Sequence, residues 1–177
     1  MQKIVCQELL DYATNHQTKT FIMKSKIAQF LIAGMVATAV MTGFTFLAPM
    51  MGLPKMNPAE MLSGMMGVPV IVGYLMHFMI GVIFAAAYVY LFNPKVHINS
   101  KFLKGSLFGF AVFIFAQVMM FIIGKMMPMP MPMPQDNMML MMLGSLIGHL
   151  VFGIVVALIV PVYTQVQSDN YIRTSHA

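Results

Sequence analysis

Tryptophan is missing from the 177 residues, cysteine occurs once, at Cys6, and the carboxylates number five. A single thiol forbids an internal disulfide, so a small secreted domain stapled by cystines is excluded. Charged residues make up 8% of the chain, against about a quarter in an ordinary soluble domain, while 59% is apolar. With a mean hydropathy of +0.81, such a chain has too little polar surface for a soluble enzyme and too much apolar surface for a disordered tail. Also absent are a G-x-x-x-x-G-K-[ST] phosphate loop, an H-E-x-x-H pair and a nucleophile elbow. Primary pumping is thereby excluded. Catalysis is not expected, because Glu60 and Asp136 are isolated carboxylates with no base or nucleophile placed beside them. Ion-coupled transport is disfavoured by the lack of a carboxylate inside any long apolar run.

What is present is membrane composition. A helix rising 1.5 Å per residue needs about 20 apolar residues to cross a hydrocarbon core of roughly 30 Å. Four stretches meet that requirement: Ile27 to Met50, Val68 to Phe92, Phe102 to Gly124 and Met138 to Tyr163. None contains Asp, Glu or Arg, and Lys104 lies near an entry. Unbroken runs of this length exclude the alternating pattern of a barrel strand, so the backbone must satisfy itself as helix. The expected fold is an all-α four-helix transmembrane bundle over residues 27–163. A cytoplasmic segment, residues 1–26, precedes it and a cytoplasmic tail, residues 164–177, follows.

Basic residues near span ends set the orientation. Lys3, Lys19, Lys24, Lys26, Lys95, Lys101, Lys104 and Arg173 fall on one side, and only Lys55 and Lys125 on the other. Both termini are therefore expected in the cytoplasm, in a bacterial inner membrane. The formal charge of +5 follows from this asymmetry and the anionic inner leaflet, with no nucleic-acid partner needed. No cleavable signal peptide is evident, and the first span reads as a signal anchor. The run Met23-Lys-Ser-Lys-Ile-Ala-Gln-Phe looks like a start, a basic tip entering a span, which marks residues 1–22 as a candidate mispredicted extension.

The halves of the chain resemble each other. The second span reads Gly73-Tyr-Leu-Met-His77-Phe-Met-Ile-Gly81 and the fourth Ser145-Leu-Ile-Gly-His149-Leu-Val-Phe-Gly153, a small-xxx-His-xxx-Gly pattern repeated at an offset of 72. At nearly the same offset, Ala33-Gly34 in the first span matches Lys104-Gly105 in the third. Two tandem helical hairpins are expected, related by a pseudo-two-fold axis along the membrane normal. Gly34, Thr38 and Thr42, with Gly105 and Gly109, offer small-residue seams for close helix approach. Gln117, two turns beyond Gly109, is expected to point inward.

His77 and His149 fall near mid-bilayer, where ionisable residues are costly and each is a functional candidate. They have an ordinary reading as neutral imidazoles bonded to a neighbouring helix, and two further ones as ligands of a soft metal or of a bis-His haem b. Methionine is the second anomaly. Of 23, six lie between Met50 and Met66 and eleven between Met119 and Met142, flanking the two outer loops. In the third loop Met127, Met129, Met131 and Met133 alternate with proline, which imposes a polyproline II path. Thioethers suit Cu(I), although Met also serves as a flexible apolar filler and a Met-Pro run as plain linker. Met138, Met142, Ser145 and His149 follow helical spacing, a line of soft donors leading from the outer loop to a buried imidazole. In the first loop, Asn57-Pro-Ala-Glu60 predicts a short helix with Asn57 as N-cap and Glu60 reaching back. Glu60 lining a cavity mouth is the alternative.

The stretches Ala33-Gly-Met-Val-Ala-Thr-Ala-Val-Met-Thr-Gly43, Ala48-Pro-Met-Met-Gly-Leu-Pro-Lys-Met56 and Gly73 to Gly81 resemble a family of small bacterial four-span membrane proteins whose domain has no assigned function. The resemblance covers Ile27 to Tyr163 and implies fold and location without a mechanism. Three roles stand open. The first is a non-catalytic structural or accessory subunit, as a homo-oligomer or within a larger membrane assembly. The second is binding or transport of Cu(I) or Ag(I) through His77, His149 and the outer methionines, and the third is haem b binding.

Overall fold

The computed structural model describes residues 26–126 and 138–160, and every regular element among them is helical. Expectations for residues 1–22, for Met127, Met129, Met131 and Met133 and for the tail lie outside the described residues. Helix α1 covers residues 26–47 and runs on through a 3-10 turn, Ala48–Met51, that ends at Gly52 with φ of 80°. A short helix α2, Pro58–Met66, follows. The long helices are α3, Val70–Ala87, α4, Lys101–Met126, and α5, Met138–Ile159.

Four helical stretches, Lys26–Met51, Val70–Lys95, Lys101–Ile123 and Met138–Ile159, are long and apolar enough to cross a membrane. Large side chains such as Ile71, Leu75, Ile83, Phe102 and Phe121 point outward and are more than half exposed. So much apolar surface would be untenable in water and suits lipid.

The fourth helix is described as far as Ile159, and its expected end at Tyr163 lies outside the described residues. The second span differs from the sequence reading: it continues beyond Phe92 to Lys95, through Pro94. It does so by widening into a π turn, Tyr88–Phe92, in which the Asn93 N–H donates to the Tyr88 carbonyl. The wider turn accommodates the proline, and the Val96 N–H returns to the normal spacing by donating to Phe92 O at 3.0 Å.

The packing rests on glycine. A Cβ on Gly34 would come within 2.6 Å of Val82 Cα, and one on Gly81 would strike Thr38 Oγ1, so α1 and α3 touch almost backbone to backbone. In the second pair, a Cβ on Gly105 would lie 2.7 Å from Gly153 O and 2.7 Å from Ile154 Cα, and one on Gly109 would meet the His149 carbonyl. Residue numbers rise along one helix as they fall along the other, so both pairs are antiparallel. Without a hydrophobic drive between helices in lipid, this intimacy supplies the van der Waals contact that holds them. The buried positions of α1 are 33, 34, 37, 38, 41 and 42, and those of α4 are 104, 105, 108, 109, 112 and 113.

The pairs close into a ring. Phe84 meets Phe115 edge-on at 5.5 Å and Tyr88 meets Phe108 at 4.9 Å, joining the α3 side to α4. Met41 of α1 lies over Gly148 of α5. Toward the end carrying Lys26 and Lys95, the centre is solid: Ala33, Tyr88, Phe108, Val156 and Val160 are at most 5% exposed. There the Lys104 amine is buried and donates to Asn93 O at 2.9 Å and to Asn93 Oδ1 at 2.7 Å, tying the start of α4 to the end of the second span. That buried lysine satisfies carbonyls at a helix C-terminus, where orphan acceptors and the helix dipole favour a donor.

Helix α2 forms as its sequence predicts at one position and departs at another. Asn57 caps it, its Oδ1 accepting from Ala59 N at 3.1 Å and Glu60 N at 3.4 Å. Its Nδ2 donates to the Tyr74 hydroxyl at 2.9 Å, which anchors α2 to α3. A Cβ on Gly73 would strike the Ala59 carbonyl, so the two helices are in close contact there too. The reciprocal half of the capping box is not made among the described residues. Glu60 is exposed, because Asn57 has already satisfied the first amides and water solvates the carboxylate better than a backbone amide would.

Candidate functional site

Away from the solid end, the bundle opens into a cavity of about 390 Å³ whose wall draws on all five helices. Among the described residues, no Asp, Glu, Lys or Arg contributes to that wall. Its polar groups are few: Thr38 and Thr45 on α1, His77 on α3, Gln117 on α4, and Ser145 and His149 on α5. Against them stand eight methionines: Met41, Met56, Met61, Met65, Met120, Met138, Met141 and Met142. A concave, mostly apolar space with a few converging polar groups is the usual form of a ligand site.

The two histidines reach the wall from different helices, one from each glycine-packed pair. His149 sits against the ring of Phe113, with centroids 5.9 Å apart. Its Nδ1 lies 2.7 Å from the carbonyl oxygen of Ser145. A carbonyl only accepts, so Nδ1 carries the proton and, in the neutral ring, Nε2 keeps the lone pair. His77 is nine-tenths buried, and its Nε2 has no hydrogen-bond partner among the described residues. The same is true of Thr38 Oγ1, whereas the Thr42 and Thr45 hydroxyls bond back to carbonyls of α1 at 2.8 and 2.7 Å. Neither imidazole bonds to a neighbouring helix among the described residues, so interhelical bonding does not account for them. A buried nitrogen without a partner costs about 1–3 kcal/mol.

Of the residues singled out from the sequence, His77, His149, Met138 and Met142 share this cavity, and Gln117 points into it as expected. Glu60 takes no part in the wall. Sequence reasoning counted Met56, Met61, Met65, Met120 and Met141 only as part of the methionine-rich windows flanking the outer loops, and it missed Met41. For Met41 a signal existed: it continues the Gly34–Thr38 row at helical spacing. Met56 came from the loop, and nothing local placed it on the wall. Its sulfur rests on a notch in α5, where a Cβ on Gly144 would lie 3.3 Å from Met56 Sδ.

Among the described residues no group of three or more His, Cys, Asp or Glu side chains is placed to hold a metal ion. Beside the two imidazoles, the wall offers eight thioethers and the oxygens of Thr38, Thr45, Gln117 and Ser145; thioethers are donors that favour a soft ion.

Comparison with known proteins adds identity of family and stops there. No curated protein and no solved structure matches the chain. A family model matches residues 24–170 and so takes in all four long helices and the cavity. The chain belongs to the family of unknown function DUF6789.

Proposed function

We propose that this multi-pass membrane protein is non-catalytic and binds a soft monovalent cation, Cu(I) or Ag(I), in the cavity between its helices. The observation that carries the reading is the unpartnered Nε2 of His77, nine-tenths buried on a wall shared with His149 and eight thioethers. A neutral wall of imidazole and thioether suits an ion that sheds its water readily and prefers polarisable donors. His149 supports it further, since a ring held by its Nδ1 proton on a carbonyl presents Nε2 in fixed orientation, the usual arrangement of a metal-ligating histidine.

Two further elements belong to this reading. The matched contacts of Gly34 with Val82 and of Gly105 with Ile154, 71 and 72 residues apart, support an internal duplication of one hairpin. The excess of basic residues at the solid end supports cytoplasmic termini, which puts the methionine-lined mouth on the outer face of the cytoplasmic membrane.

Anaerobic loading of the purified protein with Cu(I), followed by metal analysis, tests the proposal. About one copper per chain is expected, lost when both His77 and His149 are replaced by Ala. Less than about 0.1 copper per chain, or uptake unchanged in the double variant, overturns it. An absorption spectrum of the protein as isolated gives the haem alternative its own test, because a Soret band would assign the two imidazoles to haem b instead.

A further inference from the structure

We infer that the cavity exchanges its cation with one side of the membrane only, so that the protein is a membrane-held acceptor and donor of soft cations rather than a conduit. The inference rests on the soft-cation reading of the cavity and adds the direction of exchange.

Soft donors run in one direction from the two histidines. Toward the mouth, the wall carries Met56, Met61, Met65, Met138, Met141 and Met142. Toward the other end the wall carries none among the described residues. Residues 80–96 of the second span, 101–118 of α4 and 150–160 of α5 contain neither Met nor His. On α1 the stretch 26–40 has only Met35, which is half exposed on the outer surface of the bundle. An ion moving that way would exchange thioethers for aliphatic and aromatic carbon.

The inward path is also filled. The cavity ends at Thr38, Gly81, Phe84 and Phe152, and beyond it Tyr88, Phe92 and Phe108 form a three-ring cluster with centroids 4.9 to 5.8 Å apart. Val156 and Val160, at most 2% exposed, complete the plug. Past the plug lies the Lys104 amine, 1% exposed and held by both oxygens of Asn93. In its protonated form it places a like charge on the route a cation would have to take. Gly34 against Val82 and Gly105 against Gly153 and Ile154 pack this end backbone to backbone, so the helices around the plug cannot part without losing those contacts.

The test uses the full-length protein reconstituted into phospholipid vesicles under anaerobic conditions. Bathocuproine disulfonate, a membrane-impermeant Cu(I) chelator that colours on binding, is trapped inside, and Cu(I) is supplied outside. Copper is expected on the protein, while the trapped chelator colours no faster than in protein-free vesicles. In a second arm, vesicles whose protein was copper-loaded before reconstitution receive the chelator outside. It should strip only the copper of molecules whose mouths face outward. That fraction is counted by labelling Lys55→Cys, in a Cys6→Ser background, with an impermeant maleimide. Colour developing inside in proportion to protein, or stripping from outside beyond the labelled fraction, overturns one-sided exchange and leaves the metal reading standing. Vesicles in which the protein takes up no copper at all overturn the metal reading, and this inference with it.

Discussion

The carbonyl oxygen of Ser145 accepts the Nδ1 proton of His149 at 2.7 Å, one turn back along the same helix. The acceptor is main chain, so the ring is oriented by helix geometry rather than by the serine side chain. Ser145→Ala should therefore leave Cu(I) affinity within about threefold, whereas His149→Ala should lower it by at least about tenfold. Competition against a colorimetric Cu(I) chelator reads both. An affinity loss for Ser145→Ala as large as that for His149→Ala would show that the hydroxyl, and not the carbonyl, sets the ring.

His77 allows stability to be separated from binding. Its Nε2 has no partner among the described residues, so replacing the ring with an apolar side chain of similar reach removes an unsatisfied atom and breaks none of the hydrogen bonds they make. His77→Leu should unfold in detergent at the same temperature as the wild type or higher, with a gain of up to about 1–3 kcal/mol, while losing Cu(I) affinity. A clearly lower unfolding temperature would mean that the imidazole holds the bundle together.

The glycine seams give a contrast between positions. A Cβ on Gly153 would strike the Gly105 carbonyl and come within 2.5 Å of Gly109 N, both backbone atoms that cannot swing aside. Gly153→Val should separate α4 from α5 and cost about 3 kcal/mol or more, seen as a lower unfolding temperature and poor recovery from the membrane. Gly43 is also helical, yet nothing lies within 4 Å of a Cβ there. Gly43→Ala should be neutral or stabilising by up to about 1 kcal/mol through helix propensity.

Lys104 predicts the fourth outcome. Lys104→Met keeps the length of the side chain and its apolar stem but removes the donor to Asn93 O and Oδ1. A loss of about 1–3 kcal/mol is expected, with Cu(I) affinity unchanged because the cavity lies on the far side of the aromatic plug. Thermal unfolding and chelator competition on the same preparation check the two halves of the statement.

Much of the architecture was legible because the lipid requirement is local. A run of some twenty apolar residues must form its own backbone hydrogen bonds within the segment, so the four helices and the absence of strands among the described residues could be read from the chain before any packing was known. The Asn57 cap was legible for the same reason, since its partners are two and three residues away. The methionine-rich loops flanking one end, and the matched histidines, were visible as pattern.

Which side chains face one another was decided by the tertiary structure. In a soluble bundle an apolar stripe on each helix marks the buried face, but helices that are apolar all round carry no such mark. Their rotation is set by where glycines let backbones touch: Gly34 on Val82, Gly105 on Ile154. Those contacts turn Met41 inward and Met35 outward, bring Met56 from a distant loop onto Gly144, and set His77 at the cavity wall with its Nε2 unpartnered among the described residues. Composition determined that the chain crosses lipid as helix, whereas the collection of imidazole and thioether around one space depends on contacts between residues far apart in the chain, whose geometry no local rule specifies.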